Sequence, residues 1–144
     1  MRALPVPEEI VESVFTSIIT NPPEREIRMT FRKQAQEFTL IGRGVDHLLV
    51  NEFLQQNIVD EIRVFERNSE LSTVRNLIAN LLFDSEHASE VTEPGSIDQL
   101  EKRVKAVIDG NKVLLEVLPV YGASVLLFAT SIEWLDTSTA RKES

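Results

Sequence analysis

Three patterns in this sequence predict an α+β fold, a single domain with helices packed on an antiparallel or mixed sheet. Apolar residues alternate with polar ones between 25 and 66, recur at a helical period between 70 and 109, and alternate again between 112 and 135. The chain of 144 residues, 42% of them apolar, is the size of one domain. A domain of that size buries roughly 70% of the surface its unfolded chain exposes, so a full core forms without staples. The expected organisation is a domain over 1–135 and a disordered tail over 136–144, which has no apolar residue beyond Ala140.

The first expected element is a helix over 7–20. Ile10, Val11, Val14, Phe15, Ile18 and Ile19 form one stripe at a 3.6-residue period. Pro7 suits a first helical turn, and Asn21-Pro22-Pro23 ends the element, because proline disfavours helical geometry in the residue before it. From Glu26 the period changes to two. Ile27, Met29 and Phe31 alternate with Arg28, Thr30 and Arg32, as on a half-buried strand. Gln34-Ala35-Gln36 is a turn, Phe38 and Leu40 continue a partner strand, and Gly42-Arg43-Gly44 is a second break before a strand over 45–53. These segments make a meander over 25–66 whose last strand is 58–66, although Val50, Phe53, Leu54, Ile58, Ile62 and Phe65 also fit a helix face. Gln55-Gln56-Asn57 and the β-branched residues after it favour strand, turn, strand.

Two further helices follow. Leu71, Val74, Leu77, Ile78, Leu81 and Leu82 give the stripe of a helix over 70–83, with Ser69 as its expected N-cap. A polar loop, Asp84–Gly95, leads to a helix over 96–109, with Ser96 and Gln99 as a capping box and Gly110 as the C-terminal cap. The final element is a hairpin over 112–135 that turns at Tyr121-Gly122-Ala123. Its second strand, Ser124–Leu135, is apolar on both faces and should therefore be covered on both.

Composition excludes several functions. With 15 Lys+Arg against 23 Asp+Glu, a formal charge of -8 argues against a nucleic-acid binder held by a basic field. Without cysteine there is no disulfide, thiol catalysis or Cys-type zinc site. The N-terminal residues carry no export-signal pattern and no apolar run approaches the roughly 18 residues of a membrane span, so a cytoplasmic location is expected.

Chemistry is sparse. His47 lies inside a strand, and His87 lies in the acidic loop Asp84–Glu90 without regular metal-ligand spacing, so no metal site and no cofactor are expected. Gly42-Arg43-Gly44 lacks the third glycine and following helix of a dinucleotide loop. The weak ligand-binding candidates are Arg28, Arg32, His47 and Tyr121, with Asp46 as a further polar lining residue. Arg28 and Arg32 share one strand face and could grip an anion, or could protect an edge strand from other chains. Between Arg75 and Lys102 stand six acids and no basic residue, a charge segregation that would suit docking.

The leading functional expectation is a small non-enzymatic protein-interaction or regulatory module, a homodimer or bound to a protein partner. Its dimer would form through apolar sheet surface left over by the final hairpin. The alternative is a binding protein or enzyme that takes an anionic small molecule in a cleft between sheet and helices.

Overall fold

The computed structural model describes residues 6–138. It is an α+β fold with one eight-stranded antiparallel sheet and two helices. In chain order the elements are β1 (Val14–Asn21), β2 (Glu26–Lys33), β3 (Gln36–Arg43), β4 (His47–Asn51), β5 (Ile58–Phe65), α1 (Leu71–Phe83), α2 (Pro94–Ile108), β6 (Val113–Tyr121), β7 (Ser124–Ala129) and β8 (Ser131–Asp136). The order across the sheet is β4-β7-β6-β5-β1-β2-β3-β8.

That order hides a closure. β3 pairs with β8 and β4 with β7, while β3 runs into β4 through 44–46 and β7 runs into β8 through Thr130. The two long strands therefore form one bent ribbon, joining the half β8-β3-β2-β1 to the half β5-β6-β7-β4. The halves also meet where Val14 pairs with Ile58. The sheet is thus folded over into a barrel-like ring, joined at the bend and by this one pair and open along the rest of the β1–β5 seam. At the bend Thr130 N–H donates to the Arg43 and Gly44 carbonyls at 2.9 and 3.2 Å, and Asp46 N–H donates to the Phe128 carbonyl at 2.9 Å. Gly44 has φ +63°, and a Cβ there would overlap the Thr130 side chain, so the bend requires glycine.

Two cores result. Inside the ring, Phe15, Ile27, Met29, Phe31, Leu40, Val117, Leu127 and Trp134 pack from both halves. Outside it, Leu114 and Phe128, paired across β6 and β7, meet Val74, Ile78, Leu100, Val104 and Val107 of the helices. The final strands are covered on both faces as expected, one face by the opposite half and the other by α1 and α2. Leu114, Leu126 and Phe128, much of the surplus apolar surface on which the dimer expectation rested, are consequently buried, while Leu118 is partly buried.

The strands expected over 25–66 are present, and 50–65 is strand, loop, strand, but they do not form a meander. Only β2 and β3 pair with each other, while β4 crosses to β7 and β5 to β6, because the chain bends at 44–46 and leaves the β2–β3 half. The helix expected over 7–20 is not present. Residues Glu8–Ile10 make one 3-10 turn, and β1 follows. The reason is a bulge between Phe15 and Ser17. It places the inward-facing Phe15 and Ile18, opposite Phe31 and Met29, three residues apart instead of two, which imitates a helical stripe. There are accordingly two helices in the described residues rather than about three.

The second strand of the final hairpin also differs from its expected form. It breaks at Thr130, and its second half, β8, crosses to β3 instead of following β6. Asp136 belongs to β8, and Thr137 N–H donates to the Glu37 carbonyl at 2.9 Å, so the expected tail does not begin at 136. Its remainder, 139–144, lies outside the described residues. Neither helix has a side-chain N-cap: Glu70 and Glu93 hold those positions. Gly110, at φ +82°, does end α2, with its N–H on the Val107 carbonyl and Asn111 N–H on the Ala106 carbonyl, a Schellman pair.

Candidate functional site

An antiparallel helix pair returns the chain to the end of the sheet it left. The β5–α1 turn (66–70) and the α2–β6 turn (109–112) therefore lie side by side at one mouth of the ring, beside the 44–46 bend. Val64, Glu66, Arg67, Asn68, Ser69, Gly110, Lys112 and Val113 line a cleft there of about 640 Å³. Local hydrogen bonds shape each wall. Glu66 N–H donates to Ser69 Oγ at 2.8 Å and Ser69 N–H to the Glu66 carbonyl at 2.9 Å, closing one turn. Arg67 Nη2 reaches the Asp109 carbonyl at 3.1 Å, which lays the guanidinium across Gly110.

Lys112 connects the cleft to the bend. Its Nζ contacts Asp46 Oδ2 at 2.9 Å and donates to Thr130 Oγ1 at 3.0 Å. The same Asp46 carboxylate accepts from the Arg25 guanidinium on the β1–β2 turn. Val45 N–H donates to the Arg25 carbonyl at 2.9 Å, so this turn is tied to the bend as well. Burial alone would raise the Asp46 pKa, but the Lys112 hydrogen bond and the charges of Lys112 and Arg25 outweigh it and hold the carboxyl below its ordinary value. The mouth thus gathers Arg25, Arg67 and Lys112 beside Asp46, Glu66 and Asp109, a concentration of basic side chains on a chain of formal charge -8.

The four candidates named from the sequence are not brought together. Arg28 and Arg32 point outward from β2, where they form ion pairs with Glu26 at 3.1 Å and Glu37 at 3.7 Å. β2 lies between β1 and β3, so these arginines do not guard an edge. His47 stands on β4 with its ring 6.5 Å from that of Phe128. Burial first, and then the charge of Arg103, lower its pKa, against a smaller opposing pull from Asp46. Tyr121 ends β6 at the opposite mouth, paired with Ile58 and exposed. Asp46, considered only as lining, is the hub of the mouth.

Arg67 and Lys112 were not evident as candidates, and the available signal was positional. Both sit in polar turns flanking the two helical stripes, and such turns must meet if the helices are antiparallel. The cleft-lining residues include no histidine, so its one hydroxyl, that of Ser69, has no imidazole base beside it. Among the described residues no group of three or more metal-ligating side chains converges, and no helix is long and apolar enough to cross a membrane. No protein-family model, curated protein or solved structure matches the chain.

Proposed function

We propose that this protein is a non-catalytic binding module whose mouth cleft takes an anionic group, a carboxylate or phosphate on a small ligand. One observation carries the reading. Arg67 and Lys112 line a cleft of about 640 Å³, and Lys112 already holds a carboxylate, that of Asp46. That volume falls within the roughly 300–1,000 Å³ of small-molecule sites. A ligand anion would extend the alternation of charges that Asp46 begins, with the Arg67 fork offering paired N–H donors and Lys112 a point charge. The Val64 and Val113 side chains supply apolar wall. The absence of a nucleophile–base pair in the cleft supports binding over catalysis.

The test is a thermal-shift series at low salt with inorganic phosphate, pyrophosphate and citrate. At 100 times its Kd a ligand stabilises by about 2.7 kcal/mol, and at this chain size each kcal/mol raises Tm by about 2–4 °C. A shift of several degrees with at least one anion is expected, and Arg67→Ala and Lys112→Ala should each abolish it. No shift with any of the three, or shifts that survive both substitutions, would overturn the reading.

A further inference from the structure

β1 is bonded along one side to β2 throughout, but on its other side its strand pairing is a single position, Val14 with Ile58. Phe15 N–H still reaches the Asn57 carbonyl at 2.7 Å, and beyond it, over 17–21, no strand partner occupies that side among the described residues. An open strand edge is a template for another strand, and proteins ordinarily blunt it with charge, proline or a bulge. Here the bulge lies at the closed end, before Ser17, and Pro22-Pro23 lie past the strand. The open part reads Ser17-Ile18-Ile19-Thr20-Asn21, uncharged and half β-branched or better, with Ile19 59% exposed.

The other open edges differ. β8 carries Glu133 and Asp136, the free side of β5 carries Asp60, Glu61 and Arg63, and β4 packs against α1. β4, His47–Asn51, also lacks Asp, Glu, Lys and Arg but packs against α1, which leaves β1 as the uncharged edge clear of the helices.

We infer that β1 is a self-association edge, occupied by β1 of a second copy of this chain. A two-fold axis at Ile19 pairs the strands antiparallel, with Ile19 opposite itself and Ser17 opposite Asn21, so the backbone groups that alternate residues of 17–21 turn away from β2 face complements on the second copy. The exposed Ile19 side chains then cover one another on the outer face. The half β8-β3-β2-β1 continues across the axis into the same half of the second copy, making an eight-stranded sheet. Arg28, opposite Ile19 on β2, is separated from its counterpart by both β1 strands, so the arginines do not repel at contact distance. A five-residue seam is smaller than the roughly 800 Å² per partner of a standard interface, which makes the dimer weak and concentration-dependent.

Light scattering after size exclusion tests this, from about 1 µM to about 500 µM, the range in which a seam of this size should associate. The mass is expected to rise from 16.3 kDa toward twice that value. Ile19→Lys places two cations directly opposite each other and should raise the dissociation constant at least tenfold without changing the circular dichroism spectrum. Because the chain has no cysteine, Ile19→Cys should form a disulfide-linked dimer under mild oxidation, while Lys102→Cys on exposed α2 should not. A monomer at every concentration, a dimer unaffected by Ile19→Lys, or equal cross-linking of the two cysteine variants would each overturn the inference.

Discussion

Glu116 stands on the outer face of β6, opposite Arg63 on β5 and Leu126 on β7, with 14% of its side chain exposed. Burial pushes its carboxyl above the ordinary range, and the Arg63 guanidinium 3.1 Å away only partly reverses this. An acid with a raised folded pKa holds its proton more tightly folded than unfolded. Stability therefore falls as pH climbs from the ordinary value of 4.5 to the raised folded value. Asp46 has the opposite sign. Its folded pKa is lowered, so its contribution is complete above the unfolded value of 3.8 and is lost as pH falls through the folded one. Glu116→Gln should therefore be more stable than the parent at neutral pH, since Arg63 is solvated enough to lose its partner, and the advantage should vanish in acid. Asp46→Asn should be less stable at neutral pH and converge with the parent below the Asp46 folded pKa. Urea denaturation across pH checks both. A neutral-pH order opposite to this for either variant contradicts the assigned environments.

At the scale of elements, the loop between β4 and β5 is held by one side chain. Asn57 is 2% exposed. Its Oδ1 accepts from the N–H groups of Leu54 at 2.9 Å and Ala123 at 3.0 Å, while its Nδ2 donates to the Leu54 carbonyl at 2.8 Å. The loop is thereby tied to the β6–β7 turn. Asn57→Ala leaves the buried Ala123 N–H without a partner and frees two part-buried groups of Leu54, so a loss of about 1–3 kcal/mol is expected in urea denaturation. A loss below about 1 kcal/mol would mean that water replaces the amide fully. From the sequence Asn57 is legible as a loop residue but not as a staple, because its partners Ala123 and Phe15 lie 66 and 42 positions away along the chain.

The same limit explains the other differences. β2, β3, β5, α1 and α2 are legible because their own faces carry a clear period. β1 is not, because its bulge turns a two-residue spacing into three. β8 is not, because a strand apolar on both faces gives no sign of changing partners at Thr130. Nor is the mouth site: Arg67 and Lys112 lie 45 positions apart and meet only through the return of the helix pair.

At the scale of the molecule, closure of the ring depends on β8. It joins the end of the chain to β3 through pairs such as Leu40 with Trp134 and Arg43 with Ser131, the most sequence-distant pairing in the sheet. Pairings of this separation fold slowly, in milliseconds to seconds, because loop closure precedes the contacts that compensate it. Trp134, the single tryptophan, is buried inside the ring with its centroid 5.6 Å from that of Phe31. Its fluorescence therefore reports closure, while the far-ultraviolet circular dichroism is weighted toward α1 and α2. The helices depend on Leu114 and Phe128, which also belong to the strands forming the ring. Neither core can open without exposing the other, and unfolding should be a single cooperative step. Urea transitions followed by Trp134 fluorescence and by circular dichroism should share one midpoint. A fluorescence midpoint at lower urea would show instead that β8 detaches while the β5-β6-β7-β4 half and its helices remain folded.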